Sequence, residues 1–231
     1  MLSLKGKVAL VTGCGSSGPG WGNGKAIATL FARQGALVVG VDINLAAAEE
    51  TKKIIEGEGG ICEVASCDVT DLKQVQALVD GIVARHGRLD ILVNNVGQSE
   101  PGGPVEMAPE VWDRQLQLNL TTAYNGCKAA IPVMERQGGG SIVNISSVAG
   151  LRYIGKPQVA YAAAKAALIQ FTRTTAVIHA AKKVRLNCVV PGLIFTPLVT
   201  RLADKYAGGD FEGFVAKRNA QVPMGHMGEA W

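Results

Sequence analysis

The sequence has no long hydrophobic run and few aromatic residues. No segment approaches the roughly 20 apolar residues that a membrane-spanning helix needs. The apolar run that starts at Val8 follows Lys5 and Lys7 and is too short for a signal peptide. Aromatic residues make up only 5% of the 231 residues, so aliphatic and small side chains must build the core. These absences predict a soluble, cytoplasmic protein with no membrane partner.

Paired cysteines and clustered charge are also missing. The five cysteines are odd in number and form no Cys-x-x-Cys pair, which argues against a disulfide framework or a metal site. The net charge is only +4, and no basic run is longer than Lys182 and Lys183, so no nucleic-acid partner is predicted. Hydrophobic residues reach 48%, which supplies a sizeable core and excludes disorder as the main state.

Short apolar runs alternate with longer amphipathic patterns along the chain. The predicted strands are 8–12, 36–41, 61–66, 89–93, 141–145 and 184–190. The predicted helices are 24–34, 45–58, 71–86, 111–117, 120–136 and 159–181. Such alternation indicates parallel strands joined by right-handed crossovers, with helices on both faces of one sheet. The prediction is a single doubly wound, Rossmann-type α/β domain over residues 1–231, with a mostly parallel sheet.

A glycine-rich segment, residues 12–24, lies between the first predicted strand and the first helix. Glycines there allow positive φ angles and let backbone N–H groups reach a pyrophosphate, which a helix N-terminus also favours. A merely flexible loop is the alternative. The position between strand and helix favours a dinucleotide site.

Asp42 closes the second predicted strand, eighteen positions after Gly24. A carboxylate at this place accepts hydrogen bonds from the adenosine ribose hydroxyls and repels a 2′-phosphate, which favours NAD, with NADP still possible. The alternative is that Asp42 or Asn44 caps the next helix, and both roles can coexist.

Polar residues also follow the third and fourth strands. Asp68 could accept a hydrogen bond from the adenine amino group, although a helix cap is the alternative and Asp71 suits that position better. The run 94–97, Asn-Asn-Val-Gly, combines amides with a glycine that permits close backbone approach. A structural turn explains this run equally well.

Tyr161 and Lys165 lie four positions apart on a helix that is otherwise nearly all alanine here. At this spacing the phenol and the ammonium group share one face. A free phenol has a pKa near 10, and a neighbouring cation lowers that pKa toward the range useful for proton transfer. By the pattern alone, a tyrosine and a lysine at this spacing more often form the edge of an amphipathic helix.

Three further features of the sequence carry polar residues or glycine, and the loop after the sixth strand is expected to face the same crevice. Ser147 ends the fifth strand, where a lone serine usually makes a turn. Asn119 lies beside or inside a helix, an awkward place for a short amide unless it bonds something specific. Gly192 and Thr196 follow the sixth strand.

The order of these motifs resembles the short-chain dehydrogenase/reductase (SDR) family over essentially the whole chain. The resemblance implies Tyr161 as the general acid/base, Lys165 as the group that lowers its pKa and binds the nicotinamide ribose, and Ser147 as the residue that positions the substrate oxygen. It implies that Asn119 holds a proton-relay water near Lys165. It also implies cofactor contacts from Gly13, Gly22, Asn23, Gly24, Asp68, Val69, Asn95, Gly97, Gly192, Ile194 and Thr196.

Three departures from the family pattern stand out. Eight residues separate Gly13 from Gly22, where the family usually has three between its first two glycines, so the extra residues are expected to bulge over the phosphates or ribose. Val96 replaces the usual alanine. The chain stops at Trp231, where relatives continue through another helix and a final strand, which puts the expected homodimer or homotetramer in doubt.

The motifs together predict an NAD(P)-dependent oxidoreductase that interconverts a secondary alcohol and a ketone as its small-molecule substrates. The alternatives are an NADPH-dependent carbonyl or 3-oxoacyl reductase, and a dinucleotide-binding paralogue without turnover. Residues 192–227 are expected to form a mobile lid over a fairly hydrophobic substrate, with ordinary helix packing as the alternative. The apolar residues behind this expectation are Phe195, Leu198, Leu202, Tyr206, Phe211 and Phe214.

Overall fold

Six parallel strands form one sheet in the computed structural model, which describes residues 3–231. The strands are β1 (Val8–Thr12), β2 (Leu37–Asp42), β3 (Ile61–Ser66), β4 (Ile91–Asn94), β5 (Gly140–Ile145) and β6 (Val184–Val189). Their spatial order is β3-β2-β1-β4-β5-β6, and every neighbouring pair is parallel. The order reverses between β1 and β4, so a crevice opens there beyond the carboxyl ends of the strands.

Helices connect the strands and cover both faces of the sheet. Within residues 3–231 they are α1 (Asn23–Arg33), α2 (Leu45–Gly57), α3 (Leu72–His86), α4 (Pro109–Leu116), α5 (Thr122–Arg136), α6 (Val159–His179), α7 (Leu198–Ala207) and α8 (Phe211–Ala220). Strand side chains alternate between the two faces. Leu10 and Met134 belong to the core under α3 and α5, whereas Val11 and Ile55 belong to the core under α1 and α2. The predicted doubly wound Rossmann-type fold is confirmed.

Most predicted element bounds agree with the structure to within two residues, and the caps explain several of them. The Asp71 side chain accepts from the Lys73 amide at 2.8 Å, so α3 begins directly after it. The strand predicted from residue 89 begins instead at Ile91. The Leu89 amide donates to the Gln137 side chain rather than to a neighbouring strand.

The two helices predicted over 111–117 and 120–136 are one continuous helical path. The path begins at Pro109 rather than Val111, with the proline in the first turn, where its missing N–H costs nothing. A π-helical turn, Gln117–Thr121, joins α4 to α5 and contains Asn119. Single π-turns inside helices are often found at functional sites.

The segment expected to be a mobile lid contains two packed helices, α7 and α8. Gly208, at φ 59°, adopts the left-handed conformation that ends α7. Leu202 and Phe214 pack in a small core of their own, whereas Phe195 and Phe211 are exposed. Ordinary helix packing therefore accounts for part of the apolar pattern that suggested a lid.

No helix within residues 3–231 combines the length and the apolar character needed to cross a bilayer. All five cysteines are free, and four of them are buried.

Candidate active site

The glycine-rich loop packs tightly against the end of β4. Gly13 adopts φ +64°, and a side chain on Gly24 would run into the Gly13 carbonyl oxygen and the Asn95 amide. Asn95 Nδ2 donates to the Gly13 carbonyl at 3.0 Å and to the Thr12 carbonyl at 3.2 Å. These contacts hold the loop close to the N-terminus of α1, which starts after Gly22. The cradle has the shape and the free helix end that a pyrophosphate needs.

The extra residues of this loop extend across the crevice toward the segment after β6. Cβ atoms added at Gly18 and Gly20 would lie 3.5 Å and 3.3 Å from the Pro197 side chain. Gly20 has φ +113°, a conformation that L side chains rarely adopt. The enlarged loop thus lies close to Pro197 and narrows the crevice beside Thr196.

A cavity of about 230 Å³ lies over the ends of β2 and β3 and is the candidate adenosine site. The predicted cofactor residues that line it are Gly13, Asp42, Asp68, Val69, Asn95 and Gly97, together with Val96. Asp42 accepts from the Gly15 amide at 3.1 Å and from the Asn44 amide at 3.0 Å. Asn44, not Asp42, caps α2, by accepting from Ala47 at 3.4 Å. The Asp42 carboxylate is therefore not used as the helix cap.

Asp68 also lines this cavity, and its carboxylate has local partners. Its Oδ1 accepts from the Thr70 amide at 2.9 Å and from the Thr70 hydroxyl at 2.7 Å. Asp71 caps α3, so the alternative of Asp68 as the cap is wrong. Asp68 shapes the loop between β3 and α3 at the edge of the cavity.

A second cavity, of about 160 Å³, lies over the ends of β4, β5 and β6 and is the candidate catalytic site. The predicted residues that line it are Asn23, Asn95, Gly97, Ser147, Tyr161, Lys165, Gly192, Ile194 and Thr196. The structure therefore brings Ser147, Tyr161 and Lys165 together. Gly22, Gly24 and Asn119 line neither of these two cavities.

Lys165 is buried at the base of the catalytic cavity. Its side chain is 3% exposed, and Nζ donates to the Ile145 carbonyl at 2.8 Å. Burial lowers the pKa of Lys165 to about 8. Nζ lies 5.7 Å from the centre of the Tyr161 ring, as expected for residues one helical turn apart.

The pKa of Tyr161 differs from the sequence expectation. Burial raises it above the ordinary phenol value, while the Ser147 hydroxyl and the positive charge of Arg218 act in the opposite direction. The sequence pattern indicated Lys165 as the cation beside this phenol, and it did not indicate Arg218.

Asn119 lies directly behind Gly97 and has a fully bonded side chain. Oδ1 accepts from the Gln98 amide at 3.0 Å, and Nδ2 donates to the carbonyls of Gln98 and Gln115, both at 2.9 Å. A Cβ atom on Gly97 would lie 2.8 Å from Asn119 Oδ1 and 2.9 Å from Lys165 Nζ. The Asn119 side chain fixes the loop after β4, and only Gly97 separates it from Lys165.

Sequence reasoning missed six polar residues that line the catalytic cavity: Gln98, Ser99, Ser146, Lys156, Gln158 and Arg218. Lys156 and Gln158 lie just before α6, and Arg218 lies on α8. No motif marks these last three, because Arg218 reaches the cavity from α8 and the other two reach it from the loop before α6. The one usable signal is the lone arginine between Phe214 and Met227 in a largely apolar segment.

Comparison with known proteins identifies the family and the fold of this chain. The sequence profile of the short chain dehydrogenase family matches residues 7–207. The 3-oxoacyl-(acyl-carrier-protein) reductase FabG of Thermotoga maritima is 37% identical over 230 residues, which are 99% of this chain and 87% of that protein.

Solved structures show the same fold at high similarity. A short-chain dehydrogenase/reductase from Burkholderia xenovorans superposes with a TM-score of 0.94 at 54% identity, covering 98% of this chain and 86% of that one. The L-sorbose reductase of Gluconobacter frateurii, solved with NADPH and L-sorbose, superposes at 0.89 with 30% identity, covering 99% and 86%.

Proposed function

Because the chain belongs to the short-chain dehydrogenase/reductase family, we propose that it is an NAD-dependent oxidoreductase that interconverts a secondary alcohol and a ketone. One observation carries this proposal. Ser147, Tyr161 and Lys165 line a single cavity at the carboxyl ends of β4 to β6, beside the glycine cradle. In a doubly wound sheet, this is the place where a dinucleotide and a substrate meet.

Each of the three side chains has a proposed part in the chemistry. In the oxidation, Tyr161 as its phenolate would take the hydroxyl proton of the alcohol at Oη, and a nicotinamide dinucleotide held by the glycine-rich loop would supply the hydride acceptor. Ser147 holds the substrate oxygen by hydrogen bonding, so that it faces the phenol. Reduction of the ketone runs the same transfers backwards, with Tyr161 as the acid.

Lys165 and Asn119 support this arrangement. We assign Lys165 to the nicotinamide ribose hydroxyls and to the positive charge that favours phenolate, because its buried Nζ has only the Ile145 carbonyl as a partner in the described residues. Asn119 holds the Gln98 backbone through its side chain, and we assign to it the support of a proton-relay water near Lys165, as the family resemblance implies.

The cofactor residues divide between the two cavities. Asp68 and Val69 flank the proposed adenine position, and Asp42 is assigned to the ribose hydroxyls. Gly192, Ile194 and Thr196 line the catalytic cavity and are assigned to the nicotinamide carboxamide. A negative charge at Asp42 disfavours a 2′-phosphate, which supports NAD over NADP. Family members differ in this choice, since the L-sorbose reductase was solved with NADPH.

A 3-oxoacyl reductase is the second candidate function. It is supported by the similarity to the Thermotoga maritima enzyme of that name. A 3-oxoacyl substrate is a ketone and needs the same proton transfer by Tyr161. Turnover on a 3-oxoacyl thioester compared with simple ketones separates the two candidates.

We also propose a cytoplasmic homo-oligomer of two or four copies. Free cysteines support the reducing compartment. Val177 and Ile178 on α6 are 79% and 65% exposed, and such apolar surface is typical of a subunit contact. Light scattering after size-exclusion chromatography measures the number of copies.

Substitution of Tyr161 tests the proposed function. Tyr161→Phe removes the proton donor but keeps the ring, and proton-transfer groups typically contribute 10²- to 10⁴-fold to the rate. Turnover on an alcohol panel should fall by that factor, while NADH binding, followed by fluorescence, stays near the wild-type value. Tyr153→Phe is the matched control, because Tyr153 is 76% exposed. Binding of NADH without any turnover in the wild type would instead identify a dinucleotide-binding protein that is not an enzyme.

A further inference from the structure

The catalytic cavity carries positive charge without a matching acid. Three of its lining residues are basic, Lys156, Lys165 and Arg218, and no aspartate or glutamate is among the described residues that line it. Lys165 donates to the Ile145 carbonyl and has a role in the proposed function. The charges of Lys156 and Arg218 have no such role. A protein seldom buries cations in a small cavity unless an anion joins them.

Arg218 is the more informative of the two cations. The residue is only 8% exposed, and its Nε donates to the Met227 sulfur at 3.3 Å. Its guanidinium carbon lies 5.2 Å from the centre of the Phe214 ring. Among residues 3–231, no carboxylate lies within 4.0 Å of it, although other arginines such as Arg88 have such partners. The outer edge of this guanidinium is therefore available to a ligand.

Two further donors converge on the same cavity. Gln158 is 4% exposed, and its Nε2 is buried with no hydrogen-bond partner among the described groups, while its Oε1 accepts from Tyr206 at 3.5 Å. Lys156 Nζ lies 4.2 Å from the centre of the Tyr206 ring and forms no ion pair in the described part of the chain. A buried amide donor without a partner costs free energy that a bound acceptor would recover.

We propose that the substrate carries a compact oxyanion, a carboxylate or a phosphate monoester, which binds Arg218 with the help of Lys156 and Gln158. This inference rests on the proposed function, since it names the class of alcohol or ketone that the same site accepts. The planar guanidinium can bind two oxygens of such a group at once. The anion would lie on the α8 side of the cavity, with the reacting carbon between it and Tyr161.

A neighbouring cavity places this proposed anion site away from the proposed site of the cofactor phosphates. A neighbouring cavity of about 470 Å³ shares the lining residues Ile154, Lys156, Leu193 and Arg218 with the catalytic cavity. No residue of the glycine-rich loop lines it. Arg218 thus stands between the catalytic cavity and a space bounded by α7 and α8, which can hold the remainder of a larger substrate.

Matched substrates test the charge requirement. Hydroxy acids of four to six carbons are compared with their methyl esters and with phosphate monoesters of hydroxyketones, using purified protein and either coenzyme. We expect the charged members to exceed the esters by at least about 30-fold in kcat/KM, the effect of one buried charge pair. The preferred anionic series identifies the carboxylate or the phosphate. Equal or better turnover of the neutral esters would overturn the proposal.

Variants of Arg218 test the assignment to this residue. Arg218→Met should remove the advantage in kcat/KM of the charged substrates over their esters, measured as the ratio of the two, and Arg218→Lys should restore part of that ratio. Arg173→Met, a change on the exposed face of α6, is the matched control. A loss that is equal for acids and esters would show a merely structural role for Arg218. If Arg218→Met does not fold, the Arg218→Lys and Lys156→Met variants carry the same comparison.

Binding without turnover separates this inference from the proposed function. The hydroxy acids alone should raise the unfolding temperature of the wild type and not that of Arg218→Met. Binding of the hydroxy acids without any redox activity would support the anion site and contradict the proposed oxidoreductase function. Turnover of neutral ketones, with no effect of the hydroxy acids on the unfolding temperature, would support the oxidoreductase function and contradict the anion site.

Discussion

The Gly15 amide donates to the Asp42 carboxylate at 3.1 Å, and this bond joins the glycine-rich loop to the end of β2. A Cβ atom on Gly15 would lie 2.9 Å from the same carboxylate, so the backbone approaches it closely. Asp42 therefore holds the loop and also borders the adenosine cavity. Both roles depend on the carboxylate.

Asp42→Ala should weaken NAD binding by roughly tenfold or more, as expected for lost hydrogen bonds to a charged group. The affinity for NADP should fall less, because the repulsion of its 2′-phosphate is removed, so the preference for NAD narrows. Coenzyme titrations by fluorescence measure both affinities. Asp113→Ala, on the exposed face of α4, is the control. A wild-type protein that already prefers NADPH would contradict the role given to Asp42.

The sequence predicts the strands and helices around the candidate adenosine cavity well, because local patterns determine them. A continuous apolar strand such as Val8–Thr12 is buried on both faces, and this pattern is visible in the residues themselves. Asp42 is the last residue of β2 and Gly97 lies three residues after the end of β4, so their positions at the crevice depend mainly on where those strands end. Tyr161 and Lys165 are fixed relative to each other by one helical turn.

The substrate side could not be predicted in the same way. Arg218 becomes buried only because α8 folds back over the cavity, a contact between segments far apart in the chain. The π-turn around Asn119 has no propensity signal, since its geometry depends on packing against α6 and on bonds to Gln98 and Gln115. The pKa of Tyr161 likewise depends on burial, which spacing along a helix does not reveal.

Gly97→Ala should disturb the catalytic cavity directly. The added methyl group would lie within 3 Å of both Asn119 Oδ1 and Lys165 Nζ, so one of them must move. We expect a loss of roughly 1–3 kcal/mol in stability, the usual cost of overpacking, together with weaker NADH binding. Urea unfolding and fluorescence titration measure the two effects. Gly57→Ala is the matched control, because its added methyl group meets nothing within 4 Å and should slightly stabilise α2.

Lys165 should make stability depend on pH in the alkaline range. Its folded pKa of about 8 lies below the ordinary value of 10.5, so the unfolded chain binds more protons between these pH values. The free energy of unfolding contributed by Lys165 should therefore rise from about pH 8 to pH 10.5, by roughly 3 kcal/mol. Urea unfolding of wild type and Lys165→Met at pH 7.5 and 9.5 measures this difference. Lys53→Met, at an exposed position on α2, should keep the wild-type slope, and an equal slope in Lys165→Met would exclude this explanation.

Asp90 should stabilise the end of the sheet where β1 and β4 begin, which is opposite the active site. Its carboxylate accepts from the Val8 amide at 2.9 Å and from Arg88 Nε at 2.7 Å. Burial opposes the charged form, but the Arg88 pair and the Val8 N–H outweigh it and hold the pKa of Asp90 below its usual range. A depressed folded pKa means that this stability is present above about pH 4 and is lost as the pH falls through the folded value.

Asp90→Ala should lower the free energy of unfolding by about 1–3 kcal/mol at pH 7, because the Val8 amide is left buried without a partner. The difference from wild type should shrink below pH 4, where the carboxylate becomes protonated. Urea unfolding of both proteins at pH 7 and below pH 4 measures this difference in the free energy of unfolding. Glu58→Ala, which breaks the exposed pair with Arg33, should change stability much less. NADH affinity should be unchanged in the folded Asp90→Ala protein, since Asp90 lies at the other end of β4, and a large loss of affinity would show that this edge is coupled to the cofactor crevice.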